Sequence, residues 1–399
     1  MNLKQLQEGF SIVNARVVTP KRVLDPGGIR IESGLITDIE PVGNGINHRN
    51  GEEFIDVKGA LLLPGFVDIH ADSLEVAIAP RPTAPFTPET VLAAYDAELA
   101  LHGITTVFHC VGLADLGDFA KPLRTRPMAS KIVKDIRAFT PHALLRTFIH
   151  LRYEITDTES LAVIAKMIET GLVDLVSLMD HTPGFGVFKD IDAYRDYFRR
   201  SGLTIAAADA KFSELTKRRQ NVNETSLQEV VALCHQHHLT VVSHDDHTVE
   251  KLQWALDLGL SVAEFPVTLA AVDFARANGM ATVFGTPNLM RGRSHAGNLS
   301  VTDMISSHRV DVLCLDYAPM SLLPAFFKVA KLSGASLSQV SHLFSLNPAK
   351  CVGLDGVTGS IEIGKAADLI VVDNRRKFPR VLATFVNGKS VYQNHLAPV

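Results

Sequence analysis

Four cysteines in 399 residues stand apart at Cys110, Cys234, Cys314 and Cys351, and no two form a C-x-x-C pair. That spacing excludes a zinc knuckle or a disulfide framework and fits core thiols in a reducing compartment. Charge of one sign is equally scarce, since 39 Lys and Arg against 43 Asp and Glu leave a formal −4. Without a basic face, neither nucleic-acid coating nor docking on an anionic membrane is favoured. No apolar run approaches the roughly 18 residues of a membrane span. Met1-Asn-Leu-Lys-Gln-Leu-Gln-Glu-Gly9 also lacks the apolar stretch of a secretory leader. The expectation is a cytoplasmic protein with one large domain and a smaller one. A homo-oligomer is compatible with all of this.

What is present is a change of texture along the chain. Residues 10–63 read as short strands punctuated by Gly27-Gly28 and Ser33-Gly34. Residues 358–392 repeat that texture. Between them, apolar β-like runs alternate with helical patterns. The runs end near His70, His109, His150, Asp180, His244, Pro266, Gly285 and Asp316. Thr87-Pro88-Glu89 opens one of the helices and Gly103 stops it; a second starts at Glu224 and reaches His235. Eight strands alternating with helices predict a (β/α)8 barrel over residues 64–354. The two β-rich ends, 1–63 and 355–399, predict a small β-sandwich domain built from both termini. Residues 202–208 are also strand-like.

In such a barrel the chemistry lies at the C-terminal strand ends. His70 and Asp72, two residues apart, would share one face of a strand. Glu154, His181, His244 and Asp316 also follow apolar runs. His, Asp and Glu converging on one mouth suit Zn²⁺ or a similar divalent ion, and Glu154 could bridge two of them. Asp180 and Asp245 are read as supporting groups, and His109 and His150 as buried hydrogen-bonded histidines. The cluster His235, His237 and His238 closes a helix and is set aside.

The stretches Pro64-Gly-Phe-Val-Asp-Ile-His70, Asn347-Pro-Ala-Lys350 and Gly359-Ser-Ile-Glu-Ile-Gly-Lys-Ala-Ala-Asp-Leu-Ile-Val-Val-Asp373 resemble the amidohydrolase superfamily. That resemblance spans nearly the whole chain and implies the barrel with its split β domain. Four further stretches narrow it: His70-Ala-Asp-Ser-Leu-Glu75 with Pro80-Arg-Pro82, Ser243–Thr248, Gly285–His295 and Asp316–Leu323. They are similar to the branch that works in phosphonate catabolism. The resemblance implies a diphosphatase converting α-D-ribose 1-methylphosphonate 5-triphosphate to the 5-phosphate and pyrophosphate. It also implies Asp316 as general base.

One departure matters. Most members of the superfamily carry His-x-His after the first strand and often a carboxylated Lys as bridge. This chain has His70-x-Asp72, and Glu154 is read as the substitute bridge. Asp72, Glu154 and Asp316 make an oxygen-rich site, which admits Mn²⁺ or Fe²⁺ beside Zn²⁺, one ion or two. They also cancel metal charge, so a phosphorylated small-molecule substrate would need separate cations. Arg81, Arg152, Arg291, Arg293 and Lys328 are candidates, with His247 and His295 as further substrate contacts. Residues 285–297 follow the seventh strand, where barrels often build phosphate sites. Two alternatives stay open: a C–N bond hydrolase such as a cyclic amidase or deaminase, and a barrel scaffold without catalysis. A pocket lacking Arg would favour the amidase or deaminase.

Overall fold

The computed structural model describes residues 9–41, 53–81, 84–117, 121–182, 204–294 and 297–394, together with Phe185, Asp192, Tyr194, Arg195 and Arg199. The chain opens with β1 (Gly9–Val18), β2 (Val23–Glu32), β3 (Leu35–Pro41), β4 (Glu53–Asp56) and β5 (Leu61–Pro64). Pro64 ends β5, and after Gly65 the chain enters a different sheet. That sheet holds β6 (Phe66–Ala71), β7 (Ile104–Leu113), β8 (Arg146–Glu154), β9 (Leu175–Met179), β10 (Thr240–His244), β11 (Val262–Glu264), β12 (Ala281–Gly285) and β13 (Val312–Cys314). Every pairing from β6 round to β13 is parallel and follows chain order. Finally β14 (Leu369–Asp373), β15 (Arg380–Val386) and β16 (Lys389–Gln393) return to the first sheet, where β14 pairs with β5. Both termini therefore build one eight-stranded sheet, in the order β16-β15-β14-β5-β1-β2-β3 with β4 against β1.

The barrel is nearly closed. Its seam between β13 and β6 carries a single parallel bridge, Ala71 to Asp316, and the Asp72 amide donates to the Asp316 carbonyl at 2.7 Å. Asp68 reinforces this seam from inside the protein. One carboxylate oxygen accepts the His70 N–H at 2.9 Å and the other accepts the Leu315 N–H at 2.5 Å.

Val67 and Ile69 pack inward with Val242, Val262, Val283 and Val312. Strict alternation would then turn His70 outward. Instead the β6–β7 register breaks between Asp68 and Ala71, and that irregularity lets His70 also face the interior. Two strands run past their expected ends, β7 to Leu113 and β8 to Glu154. The strand-like reading of residues 202–208 is corrected from 204 on, 202 and 203 lying outside the described residues, because Ile205–Arg219 is a helix capped by Thr204, whose hydroxyl accepts from the Ala207 N–H. Alanines at 206–208 favour helix more than the apolar pattern favours strand.

Candidate active site

Strand β8 supplies much of the barrel mouth. Its period of two stacks Phe148, His150, Arg152 and Glu154 along one face, and the last three are buried. His150 Nδ1 donates to the Ile69 carbonyl at 2.9 Å, tying β8 to the residue just before His70.

Two buried imidazoles of the mouth share one acid. His70 Nδ1 donates to Glu264 Oε1 at 3.0 Å and His244 Nδ1 to Glu264 Oε2 at 3.1 Å. An imidazole committed in this way turns its Nε2 lone pair to the opposite side, as metal-binding histidines do. Burial, aided by the Arg152 charge, pushes His70 down to about 3 and His244 well below the usual histidine range. Both rings are neutral near pH 7, as a metal requires. Phe265 stands edge-on to each, at 4.8 Å from His70 and 5.4 Å from His244.

The carboxylates differ in character. Burial pushes Asp316 up to about 7, reinforced by Asp72, and Asp245 up to about 6. Burial alone would also raise Asp72, but the Arg152 guanidinium holds it well below the usual carboxylate range. Asp245, Phe265 and Asp316 all have positive φ, between 50° and 55°. Aspartate tolerates this backbone, whereas at Phe265 it stores local strain.

Among the described residues four groups of side chains come close enough to hold an ion, His70, Cys110 and His150 and His70, His244 and Glu264 among them, and two lie wholly on the cavity at this mouth: His70, Asp72 and Asp316, and His181, His244 and Asp245. In each, the candidate ligand atoms lie within 4.8 Å of one another. The donor set fits a divalent cation on its own chemistry. Neutral imidazoles meet carboxylates, and His70 Nε2 is buried without a hydrogen-bond partner among the described residues. Glu154, expected as the bridge, stands beside His181. Its Oε2 accepts from His181 Nδ1 at 2.7 Å and its Oε1 from Thr156 at 2.9 Å, so it orients His181.

Above these groups lies a cavity of about 320 Å³. Lys121, Arg124, Arg152 and Arg291 all line it. The Arg124 charge, followed by burial, brings Lys121 down to about 8. Arg124 pairs with Glu75 through Nε at 3.1 Å and Nη2 at 2.8 Å. Arg291 lies 5.8 Å over the Tyr317 ring and donates to its hydroxyl. At the rim, a Cβ on Gly285 would stand 3.2 Å from Asp316 Oδ2, a tight contact.

Several expected substrate contacts are placed elsewhere. Arg81 and Arg293 are exposed and outside the described lining of this cavity. His247 lines a neighbouring cavity of about 310 Å³ with Asp180, Phe185, Arg219 and Trp254. Lys328 donates to the Leu289 carbonyl at 2.7 Å. His295 lies outside the described residues. Arg152 does line the cavity, but its fork is directed at Asp72. Glu264, Asp68, Lys121 and Arg124 escape the sequence reading. For Glu264 a signal exists, an acid closing the apolar run Ser261-Val-Ala-Glu264 on the same parity as Val262.

A parallel barrel with histidines and carboxylates at its C-terminal mouth defines a hydrolase of the amidohydrolase family, and the chain belongs to that family: its model matches residues 61–391. Members of the family use divalent metals. More particularly, the chain is 30% identical over 375 residues to the alpha-D-ribose 1-methylphosphonate 5-triphosphate diphosphatase of Escherichia coli K12. The match covers 90% of this chain and 98% of that enzyme. Among solved structures, an N-acetylglucosamine-6-phosphate deacetylase from Pasteurella multocida superposes with a TM-score of 0.62 at 15% identity. That superposition covers 97% of this chain and 100% of the deacetylase. A Xaa-Pro dipeptidase with bound methionine gives 0.66 at 16% identity, with the same coverage of both chains. These two likenesses speak for the fold.

Proposed function

We propose that this chain is a metal-dependent phosphoanhydride hydrolase. It would convert α-D-ribose 1-methylphosphonate 5-triphosphate to the 5-phosphate and pyrophosphate in phosphonate catabolism. The observation that carries this reading is the convergence of Lys121, Arg124, Arg152 and Arg291 on the cavity that holds the His and Asp groups. Four cations suit a polyphosphate and do not suit the neutral planar pocket of a cyclic amidase or deaminase. The diphosphatase relative at 30% identity supports the same reading.

His70, Asp72 and Asp316, with His181, His244 and Asp245, are the residues that would hold metal, Zn²⁺ first and Mn²⁺ or Fe²⁺ as rivals. When bound, the ion supplies Lewis-acid polarisation and an acidified water. Asp316 takes a proton from water as the water oxygen adds to the α-phosphorus. The bond from that phosphorus to the α–β bridging oxygen breaks, and pyrophosphate leaves. Arginine guanidinium groups and the Lys121 ammonium on the cavity wall offset the charge spread over the phosphoryl oxygens. Glu264 and Glu154 keep the imidazoles turned to the centre throughout.

The test is pyrophosphate release from the triphosphate, or from ribose 5-triphosphate analogues, by metal-replete protein. Release is expected, and its absence removes the reading. Asp316→Asn is expected to bind metal more weakly and, assayed at saturating metal, to lose turnover by roughly 10²–10⁴-fold. Turnover that survives would assign the proton to another group.

A further inference from the structure

Two side chains join the ligand groups at the mouth: Glu264 from behind the imidazoles, and Arg152, a cation, from between the groups. Arg152 Nη1 donates to both Asp72 oxygens, at 2.7 and 2.5 Å. Its Nη2 donates to His244 Nε2 at 3.1 Å. Asp72 belongs to the first group and His244 to the second. The guanidinium therefore sits between them, and it keeps its charge at any working pH.

Two-metal sites place their ions roughly 3.5–4 Å apart. Divalent ions at that separation repel strongly, and an anion between them offsets the repulsion. The acid that does link the two groups, Glu264, does not lie between them. Glu154, the next acid along the same face of β8, has its oxygens engaged by His181 and Thr156. Glu264 joins His70 to His244, but through their Nδ1 atoms, on the sides of the rings turned away from the free lone pairs. A buried arginine with one fork on each group adds positive charge where a second ion would need it removed.

We infer that this chain holds one divalent ion, on His70, Asp72 and Asp316, and that Arg152 stands in the place of a second. The choice between groups follows from the lone pairs. His70 Nε2 has no hydrogen-bond partner among the described residues, whereas His244 Nε2 already accepts from Arg152. Asp72 is shared, because each of its oxygens keeps a further lone pair beyond the one that receives Nη1. Arg152 then contributes a fixed cation to the cavity floor, suited to a phosphoryl oxygen and independent of metal loading. This rests on the metal-dependent reading proposed above.

Metal counting tests it without reference to turnover. The full-length protein is loaded with Mn²⁺, freed of excess ion, and examined by elemental analysis and electron paramagnetic resonance. One Mn²⁺ per chain with the spectrum of an isolated ion is expected. Arg152→Met, shown to be folded by circular dichroism, should rise towards two ions, while Arg152→Lys, which keeps a charge, should stay at one. Two ions in the unaltered protein, with a spin-coupled spectrum, would overturn the inference. So would a count that stays at one in a folded Arg152→Met. A protein that binds no divalent ion at all would instead remove the metal-dependent reading itself.

Discussion

Glu264 holds two imidazoles with one carboxylate, and its replacement by glutamine shows how tightly those bonds are matched. The amide keeps one acceptor and turns an NH₂ towards the other ring, so one of His70 and His244 loses its orientation. Metal affinity in Glu264→Gln should fall by roughly 10–100-fold, measured by calorimetric titration with Mn²⁺ or Zn²⁺. An unchanged affinity would mean that neither ring depends on this acid. His70, Asp72, His244 and Asp316 were legible because ligand-type residues closing apolar runs are conspicuous. Glu264 was hidden because its run continues through Phe265 and Pro266, which moved the expected strand end past it. Lys121 and Arg124 could not be read at all. They reach the cavity from the segment after β7 only because the barrel brings that segment back over the mouth.

At the scale of elements, the β6 irregularity decides which face His70 takes, and Asp68 holds the strand in that state. Its two oxygens accept two backbone donors, from His70 and Leu315. Asp68→Asn would set an NH₂ against one of those N–H groups, costing about 1–3 kcal/mol, read from the denaturation midpoint. A second carboxyl bears on pH. Asp96, on the helix Pro88–Leu101, accepts from the Leu144 N–H at 2.6 Å and is buried beside the Leu145 N–H. Burial pushes its folded value up to about 6. A carboxyl raised on folding stabilises below its unfolded value near 4, and that contribution is lost as pH rises through about 6. Asp96→Asn should therefore gain on the order of 1–2 kcal/mol relative to the parent at pH 7.5, and little at pH 4. Thermal melts at the two values check the sign. The helix Ile205–Arg219, expected as strand at its start, shows why short apolar runs mislead: periodicity alone does not separate five residues of strand from a helical turn.

Across the whole molecule, the alternation of strands and helices carried most of the architecture, because each barrel strand is a short apolar run bounded by helix signals. What the pattern did not carry is the way the two sheets meet. Gly65 is the joint: β5 lies in one sheet and β6 in the other, and a Cβ at Gly65 would fall 2.2 Å from the Thr105 side chain. Thr105 is fully buried and cannot withdraw. Gly65→Ala should cost about 1–3 kcal/mol, seen as a lower melting temperature. A variant as stable as the parent would mean the joint has slack. Arg146 crosses the same boundary, from the start of β8 to Asp368 at 2.7 Å, and adds a second tie between the sheets.

The bridge between Ala71 and Asp316 gives the barrel a property of a latch. The residue that would take the proton from water is also the last backbone link closing the ring. If the strands on either side part even slightly, the acid leaves its partners at the same moment. Parting of the seam would thus carry the Asp316 carboxyl away from His70 and Asp72 in the same movement.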